Sequence, residues 1–258
     1  TMITLKAIDL YVDNVNQYMR SYPTCDQYIA KKLKQSKLAY LRLSDVSVYD
    51  LEDYRDLRLT QVQPATVKKE LCYLKRVFKH HHQAWFPTFQ LPRNADRERE
   101  EVPSKTEVDL MIKNADDHLA AFIQVAAATA MRRTEIVNIR TQHIKENTLH
   151  IPVTKTGKPR TIPISDKTKA IIFEQAGRGS RPFSHHAHTY THKFKKLCRG
   201  IGMESYVVHS LRHYGCTALF DAGLNSMQVS SISGHTDLKM LKRYTHIRAS
   251  SLLDMLPA

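Results

Sequence analysis

The amino-acid sequence predicts a mainly α-helical protein with one small β-hairpin, an α+β arrangement in two domains. Three observations carry this. Apolar residues recur at three-four spacing through the first ninety or so positions and again from Ser104 onward, the mark of amphipathic helices. One stretch, 148–164, changes to strict alternation, the mark of strands. Between the helical regions, residues 86–103 lose all periodicity and take up three prolines and a charge run, as interdomain linkers do. The boundaries expected are therefore a helical domain over 1–90, a linker over 91–103 and a second domain over 104–258.

The elements follow in chain order. Leu5, Ile8, Val12, Val15 and Met19 share one helix face. After Pro64, Val67, Leu71, Leu74, Phe78 and His81 form a second apolar face, while Lys68, Lys69, Lys75, Arg76 and Lys79 lie mostly elsewhere on the same helix. That basic side either lies on a nucleic-acid duplex or faces water. Ser104 with Glu107 makes a capping box that opens the second domain. The run "HLAAFIQVAAATAM" is apolar on every side, so its helix should be buried. In the hairpin, Leu149, Ile151 and Val153 alternate, Thr156-Gly157 turns the chain, and Ile162 and Ile164 alternate again. Helical patterns resume after Ser165-Asp166 and in "THKFKKLCRGIG", "SLRHYGCTALFDAG" and "NSMQVSSIS", with Gly223 and Gly234 suited to helix C-termini.

Composition narrows the function classes. No stretch approaches the ~18 uninterrupted apolar residues of a membrane span, and the N-terminal residues lack the basic-then-apolar order of a signal peptide. Cytoplasmic localisation is the default expectation. Four cysteines lie far apart, which suggests neither a disulfide framework nor a cysteine zinc site. His185, His186, His188 and His192 form a loose group, but without carboxylate or cysteine neighbours no metal is expected. Lys and Arg number 39 against 25 Asp and Glu, a formal charge of +14, and such an excess calls for a polyanionic partner. Nucleic acid comes first. An anionic membrane surface would ask for a basic amphipathic helix with exposed apolar bulk, and none stands out.

Four separated places carry residues suited to phosphate chemistry, each commonplace alone. Arg132 follows the buried helix, with Glu135 three residues on to orient its guanidinium. Lys155 sits at the hairpin tip, with Lys158 and Arg160 nearby as expected DNA contacts. His209 and Arg212 are three apart, one face of a helix. His235 follows Gly234, and Tyr244 lies nine positions beyond it.

In the order "TAMRRTE", "TKTGKPR", "HSLRH", "SGHTD", "KRYTH", this set resembles the catalytic signature of the tyrosine recombinases, the phage integrase family. The resemblance spans residues 104–258. It implies that Arg132, Lys155, His209, Arg212, His235 and Tyr244 occupy the six active-site positions, and that two domains form a C-shaped clamp on DNA. Many members have glycine where this chain has Ala130, and some have tryptophan where it has His235. The stretch "MLKRYTHIRA" is similar to that of shufflon invertases and of phage and island integrases.

The resemblance implies a site-specific recombinase that cleaves and rejoins duplex DNA through a 3′-phosphotyrosyl link and a Holliday junction, serving integration, excision or inversion of a mobile element. Two planar guanidiniums, Arg132 and Arg212, can neutralise the non-bridging oxygens of a phosphate, so no metal or other cofactor is expected. An unperturbed phenol ionises near ~10, and His209 is the candidate for helping Tyr244 lose its proton. Lys155, or Lys158 in its place, is the general acid for the departing 5′ oxygen. The partners implied are DNA recombination sites, three further copies of the chain in a synaptic tetramer and an accessory directionality factor, in a prokaryotic cytoplasm at the nucleoid. The apolar side of "SSLLDML" would dock on a neighbouring subunit or fold back on its own. The first domain is expected to be too short for an additional arm-type DNA-binding module. A type IB topoisomerase that relaxes DNA as a monomer, and an inactive basic DNA-binding regulator, are the competing readings.

One demand is geometric. At ~100° per residue, nine steps of one straight helix turn through about 900°, which sets His235 and Tyr244 on opposite faces. The chain must break between them. The expectation is a short helix from about Asp237 to Lys242, with Tyr244 opening the next element.

Overall fold

The computed structural model describes residues 2–18, 24–81, 89–93, 95, 101–154, 157–177 and 179–244. By contact clustering the chain divides into two compact units, Thr1–Arg99 and Glu100–Ala258.

The first unit is helical: α1 (Thr4–Tyr18), α2 (Thr24–Lys34), α3 (Val48–Leu59) and α4 (Pro64–His80), with two short 3-10 turns between α2 and α3. Proline stands at the first position of α4, where its missing N–H costs nothing. Ser47 and Asp50 form a capping box on α3. The apolar stripes of α1 and α4 meet in a core holding Ile8, Leu33, Leu51, Leu71, Leu74 and Phe78. Met19, assigned to the α1 face from its spacing, lies outside the described residues. A buried ion pair lies in this unit: the fully buried Glu70 accepts hydrogen bonds from Tyr54 Oη at 2.9 Å, Arg58 Nε at 2.9 Å and Arg58 Nη2 at 2.7 Å. Burial and the Glu70 charge raise the Tyr54 phenol, so it stays a donor to the carboxylate.

On the far side of α4, Lys69, Lys75 and Lys79 are exposed and Lys68 is half-exposed. Arg76 is exposed too, yet its guanidinium pairs with Asp26 at 2.9 Å and lies 5.2 Å from the Tyr73 ring centre. His81 donates to the Ala7 carbonyl at 2.8 Å.

The second unit carries α5 (Lys105–Asn114), α6 (Asp117–Thr129), α7 (Arg133–Ile136), strands β1 (Ile144–Lys145), β2 (Thr148–Ile151) and β3 (Arg160–Pro163), then α8 (Asp166–Ala176), α9 (Ala187–Gly200), α10 (Val208–Asp221) and α11 (Ser226–Ser233). The Ser104–Glu107 capping box is present on α5. Helix α6 is central, packed by α5, α8, α9 and α10, and buries Leu119, Phe122, Ile123 and Val125. Phe122 stacks on Tyr190 of α9 with centroids 4.2 Å apart.

The three strands form one antiparallel sheet in the order β1-β2-β3, with Leu149 opposite Ile162 and Ile151 opposite Arg160. The sequence expectation differs here in two ways. Strand β1 pairs only two residues, too few to show a period. Val153, read as the third apolar position of the strand, is 70% exposed; Pro152, lacking an N–H, ends the ladder after Ile151. Among the described residues no helix is long and apolar enough to cross a membrane.

Candidate active site

Helix α6 ends on Ala130, which is fully buried and left-handed, with φ 51° and ψ 22°. A methyl group in that region costs ~1–2 kcal/mol that glycine would avoid. Two residues later Arg132 caps the one-turn helix α7. Its backbone N–H donates to Glu135 Oε2 at 2.9 Å, Nη1 to Glu135 Oε1 at 3.0 Å, and Nη2 to the Gly234 carbonyl at 2.8 Å. Glu135 thus orients the guanidinium as its spacing predicts.

Glu135 serves a second arginine. Arg160 on β3 donates from Nη1 to Oε1 at 3.0 Å, from Nη2 to Oε2 at 2.8 Å, and from Nε to the Ile232 carbonyl at 3.0 Å. Arg160, taken from the sequence as a DNA contact, is turned inward because a buried carboxylate needs both cations. Burial works to raise the Glu135 carboxyl, but the hydrogen bonds from Arg160 and from the Arg132 backbone outweigh it and hold its pKa below the ordinary glutamate value.

Arg212, on the inner face of α10, is only 2% exposed. Its Nη1 donates to the Ala130 carbonyl at 2.8 Å and the Ser233 carbonyl at 2.7 Å, and its Nη2 lies 3.1 Å from His235 Nε2. Burial, with the charge of Arg132, pushes Arg212 down to about 10, which leaves it cationic at neutral pH.

His235 follows the left-handed C-cap Gly234, φ 73°. Burial first, then Arg212 and Arg132, push the imidazole down to about 3, so it is neutral. Its Nδ1 lies 2.7 Å from Ser233 Oγ, whose own hydroxyl donates to the Val229 carbonyl at 2.6 Å. The network therefore assigns the proton to Nδ1 and leaves Nε2 to accept from Arg212.

Beyond Gly234 the chain runs non-helically through His235–Asp237 and then forms a 3-10 segment, Leu238–Tyr244, with the Lys239 N–H donating to Asp237 Oδ1 at 2.9 Å. The break that the His235 to Tyr244 spacing demands is present. Tyr244 closes the 3-10 segment, where the sequence expectation had it open the following element. Its side chain is 5% exposed and packs with Ala130, Cys216, Val229 and Leu241. Its hydroxyl meets Nδ1 of His213, the residue after Arg212.

The structure therefore brings Arg132, Arg212 and His235 together around the Ser233–His235 turn, and joins Tyr244 to the same helix through His213. His209, named from the sequence as the aid to Tyr244, is exposed on α10, its ring 4.7 Å from that of His213. Lys155 lies outside the described residues. Lys158 is exposed in the hairpin loop, with its backbone carbonyl accepting from Thr154 Oγ1 at 2.7 Å. The roles of His213 and Arg160 escaped sequence reasoning. The signal for the first was available: His209 and His213 are four apart and share a helix face. Among the described residues no group of three or more His, Cys, Asp or Glu side chains could hold a metal ion.

Comparison with known proteins places this arrangement in context. The family model "Phage integrase family" matches residues 102–251. A shufflon-specific DNA recombinase of Escherichia coli is 26% identical over 98% of this chain and 71% of its own length. A putative integrase/recombinase of Haemophilus influenzae is 26% identical over 89% of this chain and 77% of its own. Among solved structures, the Tn1549 transposon integrase in complex with transposon right end DNA superposes with a TM-score of 0.80 at 16% identity, covering 98% of this chain and 99% of that one.

Proposed function

The chain belongs to the phage integrase family, and from that premise we propose that it is a site-specific DNA recombinase in which Tyr244 attacks a phosphodiester and Arg132, Arg212 and His235 hold the phosphate. One observation carries the reading: two guanidiniums 80 positions apart in sequence converge on one turn, with the tyrosine hydroxyl lodged on the helix that bears the second of them. Charge supports it. Arg132, Arg160 and Arg212 against Glu135 give three positive charges minus one negative, a surplus of two. An anionic phosphodiester that gains negative charge in its transition state is stabilised by such a preorganised surplus.

His235 fits the same logic. Burial and then the arginine charges hold it neutral; those cations are the ones a phosphate would face, so a bound anion opposes their part of the effect and favours the protonated, donating imidazole. As Tyr244 Oη bonds to phosphorus, the bond to the 5′ oxygen breaks, and a 3′-phosphotyrosyl link conserves its energy for rejoining. Lys155, with Lys158 as the alternative, is assigned to protonate the departing 5′ oxygen. Lys68, Lys69, Lys75, Arg76 and Lys79 on α4 are assigned to backbone phosphates. A second round of exchange in a synaptic tetramer resolves the Holliday junction, with a directionality factor biasing the outcome, in a prokaryotic cytoplasm at the nucleoid. The match to a shufflon-specific recombinase along 98% of the chain supports inversion as the job. The recombinase and integrase relatives favour strand exchange over plain relaxation or passive binding.

The test is a nicked duplex bearing the inverted repeats that flank the coding gene. The expected result is an SDS-resistant protein–DNA adduct that Tyr244→Phe abolishes, with Holliday junctions appearing on intact sites. No adduct at any salt concentration would overturn the reading.

A further inference from the structure

We propose that His213 is the residue that receives the Tyr244 phenol proton during cleavage, and that it holds the hydroxyl in position beforehand. The inference rests on the strand-exchange reading above and deepens it. His213 Nδ1 meets the Tyr244 hydroxyl, and the two rings lie 5.7 Å apart at 37°. The contact is enclosed: Tyr244 is 5% exposed, the Phe220 ring stacks with it at 6.4 Å, and His213 is itself half-buried. A phenol in such a pocket needs an acceptor, and a neutral imidazole can take the hydrogen bond and then the proton.

The groups that face His213 decide its charge. On its own helix these are Arg212 and the His209 ring; from the 3-10 segment Tyr244; and from the turn after α11 His235, itself held low in part by His213. Burial first, then Arg212, keep the His213 imidazole below its ordinary value, so at neutral pH it rests unprotonated and able to accept. The placement next to Arg212 also explains why one helix suffices. Residue 212 faces the phosphate position and residue 213 faces the nucleophile, about 100° apart around the helix axis.

The step balances. The phenol O–H bond breaks and its proton passes to Nδ1 as the Oη–P bond forms and the P–O5′ bond breaks. The 5′ oxygen takes its proton from the lysine assigned above. On rejoining, the 5′ hydroxyl returns that proton and attacks phosphorus, the Oη–P bond breaks, and the imidazolium gives its proton back to the phenolate.

Single-turnover adduct formation on the nicked inverted-repeat duplex, measured across pH with duplex binding measured in parallel, tests this. His213→Ala is expected to bind the duplex as wild type does and to form adduct about 10²–10⁴-fold more slowly near neutral pH. The deficit should shrink toward about pH 10, where phenols ionise unaided. His213→Asn, whose amide oxygen accepts a hydrogen bond but no proton, is expected to remain slow, and it stands in for His213→Ala should that variant unfold. A wild-type rate for His213→Ala across the pH range, or full rescue by His213→Asn, would overturn proton transfer. Histidine nitrogen NMR without DNA separates the two proposals: Tyr244→Phe should shift the His213 Nδ1 resonance, and an unmoved resonance overturns the contact. A wild-type protein that shifts this resonance yet forms no adduct would overturn the recombinase reading and proton transfer with it, leaving the hydrogen bond.

Discussion

Replacing Glu135 by glutamine keeps the shape of the side chain and removes the one negative charge shared by Arg132 and Arg160. The carboxylate is 2% exposed and accepts four hydrogen bonds, from the Arg132 N–H and Nη1 and from Arg160 Nη1 and Nη2, at 2.8–3.0 Å. A glutamine has one acceptor oxygen, and its amide nitrogen would point two donors at a guanidinium. At least two charge-assisted bonds are lost, each worth about 1.5–3 kcal/mol, in line with the ~3–5 kcal/mol that follows when one partner of a buried ion pair is removed. For a unit of this size each kcal/mol moves Tm by about 2–4 °C, so Glu135→Gln should lower the melting temperature of the second unit by roughly 6–20 °C. Circular dichroism melts at neutral pH measure this. Pairing Glu135→Gln with Arg160→Met should cost less than the two single losses added together, because the second change removes a stranded cation. Duplex binding should survive, since the cluster becomes more positive, while adduct formation falls as Arg132 loses its orientation. A melting temperature within about 2 °C of wild type would refute the ion-pair argument.

Three further outcomes follow from the same turn and helix. His235 is held at about 3 in the folded chain against an ordinary 6.5, so the unfolded chain binds a proton first as pH falls. The stability it contributes is complete above 6.5 and lost through the window down to about 3, at no more than ~1.4 kcal/mol per pH unit and less for a ring that solvent partly reaches. Urea titrations should show a shallower acid limb for His235→Asn, and superimposable limbs would contradict the shift. Gly234→Ala adds a Cβ 2.7 Å from Arg160 Nη1 at a φ of +73°. Its cost should exceed the ~1–2 kcal/mol of left-handed strain alone, with adduct formation failing; a neutral melt would show that Arg160 moves freely. Gly215→Ala places a Cβ 2.6 Å from the Ala127 carbonyl, and should destabilise by ~1–3 kcal/mol although alanine is the better helix former; a rise in Tm would place α10 farther from α6.

What the sequence revealed was whatever has a period or a motif. The buried α6, the α5 capping box, the hairpin and the break between His235 and Tyr244 all follow from spacing and helix geometry. Strand β1, at two residues, has no period to read. The pairing of Arg160 went unread for a different reason: a cation beside a turn looks solvated unless a buried carboxylate is known to lie within reach, and that carboxylate, Glu135, is 25 residues away. His213 was passed over because His209 and His213 share a helix face, and their spacing does not say which of them meets Tyr244, which arrives from 31 residues downstream.

Beyond Glu135, the aiming of the two arginines has a backbone cause that no side-chain pattern encodes. Arg212 donates to the carbonyls of Ala130 and Ser233, and Arg132 to that of Gly234. These three carbonyls close the C-termini of α6 and α11, where the last peptide groups have no helical partner and the helix dipole is negative. Both ends turn through a left-handed residue, Ala130 and Gly234. Arg212 is held by neutral backbone that cancels none of its formal charge, and Glu135, which Arg132 also meets, is shared with a third arginine, Arg160. The site thereby keeps its two surplus charges in fixed directions, which is what an incoming phosphate requires, and the turn at 233–235 is the element on which both depend.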